Sequence, residues 1–412
     1  MAEDWLRRTA VTRIRPSEEQ RRLLERTVDE WRFGANIAVD VGERVDETAK
    51  TKLQSLAYET VREKTALGSQ HAILATHRAA KALRGVATRR REGYEATTPQ
   101  FTSPTIPYDS RSMTLFEDEQ EVSLLTVDGR VRCPICLPEE EDGYQWAYLD
   151  EWEQTESTLT VCGDEWFLHL GFRKPHERTP DDIAENRTVL GVDLGIENVA
   201  VTSTALFESA AELTHRREEF QKTREGLQRT GTRSAHLTLT ERRNREERYA
   251  RDYLHRTANR IVREAETYSC RVIVFEDLTH IRDALPNDLS FHRWAHRRLV
   301  EYVTYKARER GMEVAFVDPA NTSKMCSECG HVSRSNRPTR DRFSCGRCDT
   351  TANADYNAAK NVGLRYVRSG QQSSDRTGEC RLALKSGTVT PNRGFTPYPS
   401  GSEAETTDKS GT

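Results

Sequence analysis

Four cysteines, Cys326, Cys329, Cys345 and Cys348, stand in the spacing C-x2-C-x15-C-x2-C. Two close pairs separated by a loop of this length fit a tetrahedral zinc site. Four thiolates leave no open coordination position, so such a Zn2+ is structural. Asp355 follows seven residues after the last cysteine and opens the segment YNAAKNVGLRYV, which reads as a helix. An acid at a helix N-terminus is favourable in itself, so Asp355 taken alone reads equally well as a cap. Asp193 closes the apolar run TVLGVD, and Glu276 closes VIVFE. Each could be a structural acid at a turn. A carboxylate in such a setting is nevertheless costly unless it has a partner or a metal, and acids at strand ends in α/β folds lie where ligands bind. Joined together, Asp193, Glu276 and Asp355 offer the oxygen chemistry of Mg2+ or Mn2+. Two such ions could serve the hydrolysis of a phosphodiester. The three acids are thus both candidate metal ligands and candidate catalytic groups, and the cysteine loop would pin the third.

The elements needed to bring them together can be read in order. Val189 to Val192 is a strand leading to Asp193, flanked by Gly191 and Gly195, and Val199 to Val201 begins a second one. Glycines on both sides leave space for a backbone or a phosphate to approach. Residues 216–235 look basic and loop-containing. Residues 243–267 place Tyr249, Tyr253, Ala258, Ile261, Val262 and Ala265 at helical spacing. The strand to Glu276 follows, then a helix over 294–310 with Ala295, Leu299, Tyr302 and Val303 inward, then the strand MEVAFVDP. Within the cysteine loop, Arg334, Arg337, Arg340 and Arg342 could project toward a nucleic-acid backbone or simply be solvated.

Upstream, Val11 to Arg15 alternates like a short strand, Pro16 breaks it, and Ser17 with Gln20 fits a capping box. Leu24, Val28, Trp31 and Ala35 then recur at helical spacing. Residues 45–93 look helical throughout and end in the basic run Arg89 to Arg91. A Pro- and Ser-rich boundary spans 97–110. From 112 to 173 short strands dominate, with the aromatic stretch YQWAYLD among them and a hairpin at Asp128–Gly129. This predicts a small antiparallel barrel or sheet. Cys133 and Cys136 form a lone C-x2-C that Cys162 and His169 could complete as a second metal site, but an ordinary turn with two free thiols is the simpler reading. Cys270 reads as a buried small hydrophobe. A polar linker covers 179–187. Beyond Gly370 the chain should be extended, and from Pro399 disordered.

A chain of 412 residues has room for two to four domains. No apolar run approaches the length of a membrane span, and the start, MAEDWLRRTA, lacks a signal core. A cytoplasmic protein with no membrane partner is expected, and metal-spaced cysteines agree with a reducing compartment. The net charge is -3, and only 11 of the 62 basic residues are lysine. A lysine-poor, acid-rich chain suits a salty cytoplasm, where shape, stacking and bidentate arginines would carry more of any nucleic-acid binding than phosphate charge does.

The chain resembles the transposon-encoded TnpB proteins, relatives of the compact type V CRISPR nucleases. The matching pieces are RIRPSEEQ with WRFGAN, GVDLGIENVAV, VIVFEDL, NTSKMCSECGH, FSCGRC and ADYNAAKN, in family order. The composition would make this a member from a halophilic archaeon. The resemblance implies a multidomain α+β protein: a β-barrel wedge (1–24 and 111–180) with a helical recognition insert (25–110), then an RNase H-like, RuvC-type α/β nuclease domain (188–370) with an inserted zinc ribbon (321–350), and a C-terminal extension (371–412), partly disordered. It implies the triad Asp193, Glu276 and Asp355, a guide RNA from the transposon end, and cutting of double-stranded DNA. A nuclease-inactive RNA-guided repressor and a zinc-ribbon DNA-binding accessory protein are the rival readings. Oligomeric state, guide sequence and cut pattern are not fixed by the sequence.

Overall fold

The computed structural model describes residues 4–139, 143–176, 187–230, 232–277, 290–371, 380–385, 387–390 and 395–397. The chain divides into two compact units, Met1–Glu177 and Arg178–Thr412.

The first unit opens with β1 (Trp5–Ile14) and three helices, α1 (Glu18–Val45), α2 (Lys50–Lys64) and α3 (Ser69–Arg91). It continues through β2 (Thr105–Tyr108), β3 (Met113–Phe116), β4 (Glu121–Thr126), β5 (Gly129–Cys136), α4 (Tyr144–Glu151), β6 (Glu153–Gln154), β7 (Ser157–Cys162) and β8 (Glu165–Pro175). The strands form one eight-stranded sheet in the order β2-β7-β8-β1-β5-β4-β3, with β6 on β8. The predicted capping box starts α1: Ser17 Oγ accepts from Gln20 N, and Gln20 Oε1 accepts from Ser17 N. The Gln20 amide also donates to the Arg132 carbonyl at 2.8 Å, which ties the helix start to β5. Leu24, Val28, Trp31 and Ala35 are buried as their spacing predicts. The hairpin at Asp128–Gly129 joins β4 to β5 through the pair Thr126↔Gly129.

Three readings need correction here. The helical stretch 45–93 is two helices. Asp46 ends α1 in the left-handed conformation at φ 51, and residues 65–68 separate α2 from α3. YQWAYLD is helix α4, not a strand. Its aromatics alternate, but Tyr144, Tyr148 and Trp152 also recur every four residues, and their rings meet edge-on at 5.9 and 5.2 Å. Cys133 and Cys136 lie on strand β5 rather than in a turn. Both thiols are free, and Cys133 Sγ meets Gln20 Oε1 at 3.6 Å. Among the described residues they do not gather with Cys162 and His169 into a metal-sized group.

The second unit runs β9 (Arg187–Asp193), β10 (Asn198–Thr202), β11 (Phe207–Ser209), α5 (Ala211–Thr230), α6 (Arg233–Thr267), β12 (Val272–Glu276), α7 (Ser290–Glu309), β13 (Glu313–Val317), β14 (Arg342–Ser344), β15 (Thr351–Asn353), α8 (Ala354–Gln371), β16 (Cys380–Leu382), β17 (Gly387–Val389) and β18 (Phe395–Pro397). Residues 216–235, expected to be basic and to contain loop, are helical up to Thr230, where α5 ends, and again from Arg233, where α6 begins. The apolar face of α5 is narrow, and polar contacts to α6 hold it instead, among them Arg224 to Glu246 and Tyr249 to Glu212.

The main sheet of this unit has the order β11-β10-β9-β12-β13. β12 runs parallel to both β9 and β13, and β10 antiparallel to β9. The extension after α8 returns as β16, pairing in parallel with β9 through Cys380↔Arg187 to Leu382↔Val189. Disorder beyond Pro399 concerns residues outside those described. Strand alternation sorts the core into two layers. Leu190, Val192, Ile273 and Phe275 pack with α6 and α7, where Cys270 is also buried as expected. Val189, Val272 and Val274 pack on the other face with Val362 and Tyr366 of α8.

Candidate metal and acid site

That alternation decides where the acids go. Val189, Gly191 and Asp193 occupy one face of β9, and Val272, Val274 and Glu276 the same face of β12. The parallel register pairs Val272 with Val189 and Val274 with Gly191. Two residues further along each strand, at the carboxyl ends, stand Glu276 and Asp193. The face they share is the one covered by α8, whose first turn carries Asp355.

α8 comes unusually close. A Cβ on Gly191 would lie 2.2 Å from the Ala359 carbonyl oxygen and 2.7 Å from the Gly363 nitrogen. The glycine leaves room for a backbone, as expected, and that backbone is the helix bearing the third acid. Asn353 caps α8, its Oδ1 accepting from the amides of Asp355 (3.0 Å) and Tyr356 (3.1 Å). The Asp355 carboxylate accepts from Asn198 Nδ2 at 2.9 Å and from Arg337 at 3.2 Å. Burial, then the charges of Glu276 and Asp355, push the Asp193 carboxyl well above the usual range, with Arg337 acting against them. Burial also raises Glu276, against the hydroxyl of Thr322, which donates to its Oε1. Asp193 therefore senses both other acids, and Arg337 only partly offsets them. The three acids do not close to ligating distance, and Arg337 is the cation that meets Asp355. Asn198 is 1% exposed, and its Oδ1 has no hydrogen-bond partner among the described residues. Carboxylates and an orphaned amide oxygen together are the donor set of a hard divalent cation.

The cysteine loop is built as two similar knuckles. Cys326 N donates to the His331 carbonyl and Cys345 N to that of Thr350, both at 2.9 Å. The residue after the second cysteine of each pair is left-handed, Gly330 at φ 72 and Asp349 at φ 57. The buried Asn336 bridges the two, donating to the Lys324 and His331 carbonyls and accepting from Gly346 N. All four Sγ atoms lie within 4.8 Å of one another, and they are the group of potential ligands to do so among the described residues. Cys326 to Cys348 and Cys329 to Cys345 are each 3.6 Å apart. Tetrahedral zinc at about 2.3 Å from each sulfur would space them at roughly 3.8 Å, whereas a disulfide would need about 2.0 Å. The cysteines fit Zn2+.

Three asparagines the sequence reading passed over couple this loop to α8. Asn353, the cap just before α8, and Asn357 and Asn361 within the helix recur every four residues. Asn357 donates to the Met325 carbonyl at 2.8 Å and accepts from Ser327 N. Asn361 donates to the carbonyls of Thr322 and Met325 at 2.8 and 2.6 Å. Thr322 in turn holds Glu276. The loop thus touches two acids, through Thr322 and through Arg337. Of the four loop arginines, Arg337 pairs with Asp355 and Arg340 with Glu197 at 3.1 Å.

Parts of the chain are similar to known proteins. The Cas12f1-like, TNB domain family matches residues 296–362. A CRISPR-associated endodeoxyribonuclease Cas12f1 of Sulfoacidibacillus thermotolerans is 30% identical over 224 residues, 50% of this chain and 51% of that protein. A TnpB-like protein of Methanocaldococcus jannaschii is 32% identical over 177 residues, 41% of this chain and 61% of its own. The matches span about half to three-fifths of these relatives' lengths. The cryo-EM structure of a Cas12f1-sgRNA-target DNA complex shares the fold, with a TM-score of 0.58 at 14% identity over 83% of this chain and 81% of that one.

Proposed function

We propose that this chain is a member of the TnpB family and an RNA-guided, divalent-metal-dependent DNA endonuclease associated with a transposable element. What supports this reading is Asp193 and Glu276 at the ends of two paired strands on one sheet face, with Asp355 in the first turn of the helix that covers that face, and the charges of Glu276 and Asp355 acting on the buried Asp193. Its partners are then a guide RNA and a double-stranded DNA target. In this reading 188–370 is the RuvC-type nuclease domain with its zinc ribbon at 321–350. The segments 1–24 and 111–180 form the wedge, and 25–110 is the recognition insert.

Asp193, Glu276 and Asp355 would hold Mg2+ or Mn2+, which supplies Lewis-acid polarisation of a phosphate and lowers the pKa of water. Asn198 fixes the Asp355 carboxylate from one side. Thr322 fixes Glu276. Arg337, held at both Nε and the guanidinium tip by the Arg340 carbonyl, is preset beside Asp355, where a scissile phosphate would give it a second anionic partner. Zn2+ on the four cysteines keeps the ribbon folded so that Thr322 and Arg337 stay in place.

The test is cleavage of DNA matching the co-purifying RNA, with and without Mg2+ or Mn2+. Asp193→Ala should abolish cutting and spare RNA binding. Full cutting by that variant would remove the triad. Metal-indifferent DNA binding without any cutting would leave an RNA-guided repressor.

A further inference from the structure

α7 gives no carboxylate to the acid cluster, yet one of its side chains reaches the turn on which that cluster depends. His296 lies at the buried side of α7, and its Nε2 is 2.9 Å from the Gly195 carbonyl oxygen. Burial disfavours the charged imidazole. A carbonyl can only accept, so the proton sits on Nε2 and the ring donates. Gly195 belongs to the short turn between Asp193, the last residue of β9, and Asn198, the first of β10. The side chains around this turn face the site. Asp193 is an acid of the cluster, Glu197 pairs with Arg340 of the cysteine loop, and Asn198 donates to Asp355. β9 and β10 pair at Val201↔Asp193 and Thr202↔Val192, which leaves Leu194 to Glu197 outside that ladder. β11 holds the far end of the turn, through Asn198↔Ser209 and the Ala210 amide donating to the Glu197 carbonyl at 2.8 Å. The tether from α7 holds the near end, at Gly195.

We propose that His296 is a positioning residue of the nuclease site: it pins the turn after Asp193 from α7 and, through that turn, sets Asn198 against Asp355. The role rests on the function proposed above. It predicts that losing the Nε2–H loosens the metal-binding acids while the fold persists, as happens when a group that orients metal ligands is removed.

The full chain with its bound RNA is the material for the test. His296→Phe keeps a ring and removes the donor. His296→Gln keeps a donor near the Nε2 position. Mn2+ affinity is read by calorimetry, and cleavage is followed across Mn2+ concentrations. His296→Phe should weaken both by about 10- to 100-fold, and His296→Gln should recover most of the loss. Because both residues act through one turn, His296→Phe combined with Asn198→Ala should lose little more than Asn198→Ala alone. Should His296→Phe fail to fold, His296→Asn, whose amide is too short to reach Gly195, must show the same loss. Unchanged Mn2+ affinity and cleavage in His296→Phe would overturn the proposal. So would equal loss in the Phe and Gln variants at equal stability, which would mark the ring as packing only. If the parent protein binds Mn2+ but cuts no DNA, the nuclease reading fails, and the calorimetric comparison still judges His296.

Discussion

Gly191 of β9 and Gly363 of α8 pack backbone against backbone, two residues before Asp193 on the strand and eight after Asp355 on the helix. The two substitutions to alanine should differ. Gly191→Ala would press a methyl into the Ala359 carbonyl and the Gly363 amide, which cannot move without shifting the helix. Gly363→Ala would meet the end of the Leu382 side chain at 2.2 Å, which can swing aside, and the Gly191 backbone at 3.3 Å, which needs a shift of only tenths of an ångström; an alanine inside a helix returns up to about 1 kcal/mol. Gly191→Ala is expected to cost on the order of 1–3 kcal/mol and most of the cleavage activity, and Gly363→Ala far less of both. Thermal melts with cleavage rates check this. Equal effects would mean that α8 does not rest on β9 as described.

Asp193 sits among like charges, so it is held at a cost. Asp193→Asn removes the repulsion with little change of shape. The variant should be inactive yet more stable, by about 0.5–2 kcal/mol without added divalent metal. Denaturant unfolding of both proteins in chelator measures it. A destabilised Asn variant would show that the three carboxylates do not strain one another.

Zinc should be present at one ion per chain, and Cys326→Ser should lose it. The loss should loosen the grip of Asn357 and Asn361 on the loop and free Thr322 from Glu276. Cleavage should fall while the melting of the first unit, whose core shares no residue with the loop, stays where it was. Metal analysis and two-wavelength melts would reveal a Cys326→Ser protein that keeps its zinc, against this assignment.

His71 gives the first unit a pH dependence. Its ring is fully buried against Tyr108, neither nitrogen has a hydrogen-bond partner among the described residues, and burial lowers its pKa from 6.5 to about 4. The folded value lies below the unfolded one, so the unfolded chain takes up the proton first. The stability tied to a neutral His71 is complete above pH 6.5 and is lost as pH falls toward 4. At about 1.4 kcal/mol per pKa unit, a few kcal/mol are involved. His71→Phe should flatten the fall in stability across that window. Parallel curves for the two proteins would count against it.

The chemistry was more legible than its supports. Cysteine spacing and strand-end acids are written in residue type and short intervals, so Cys326 to Cys348 and the three carboxylates could be named without a structure. α5 was not readable as helix, because polar contacts to α6 rather than an apolar stripe hold it. α4 was misread since an alternating aromatic run also satisfies a four-residue spacing. The asparagine ladder of α8 offered a visible four-residue repeat in NADYNAAKN. Its meaning depends on carbonyls some thirty to forty residues upstream. His296 and Gly195 are 101 residues apart, and no local pattern joins them.

The return of β16 to β9 has a consequence for the order in which the protein is made. Arg187 to Val189 lack that partner until Cys380 to Leu382 leave the ribosome, about 190 residues and roughly 10–40 s later at ordinary synthesis rates. The first unit is finished long before. The first unit can thus fold as a finished body while the acid-bearing strand still waits for its last neighbour, so synthesis itself sets the order in which the two units mature.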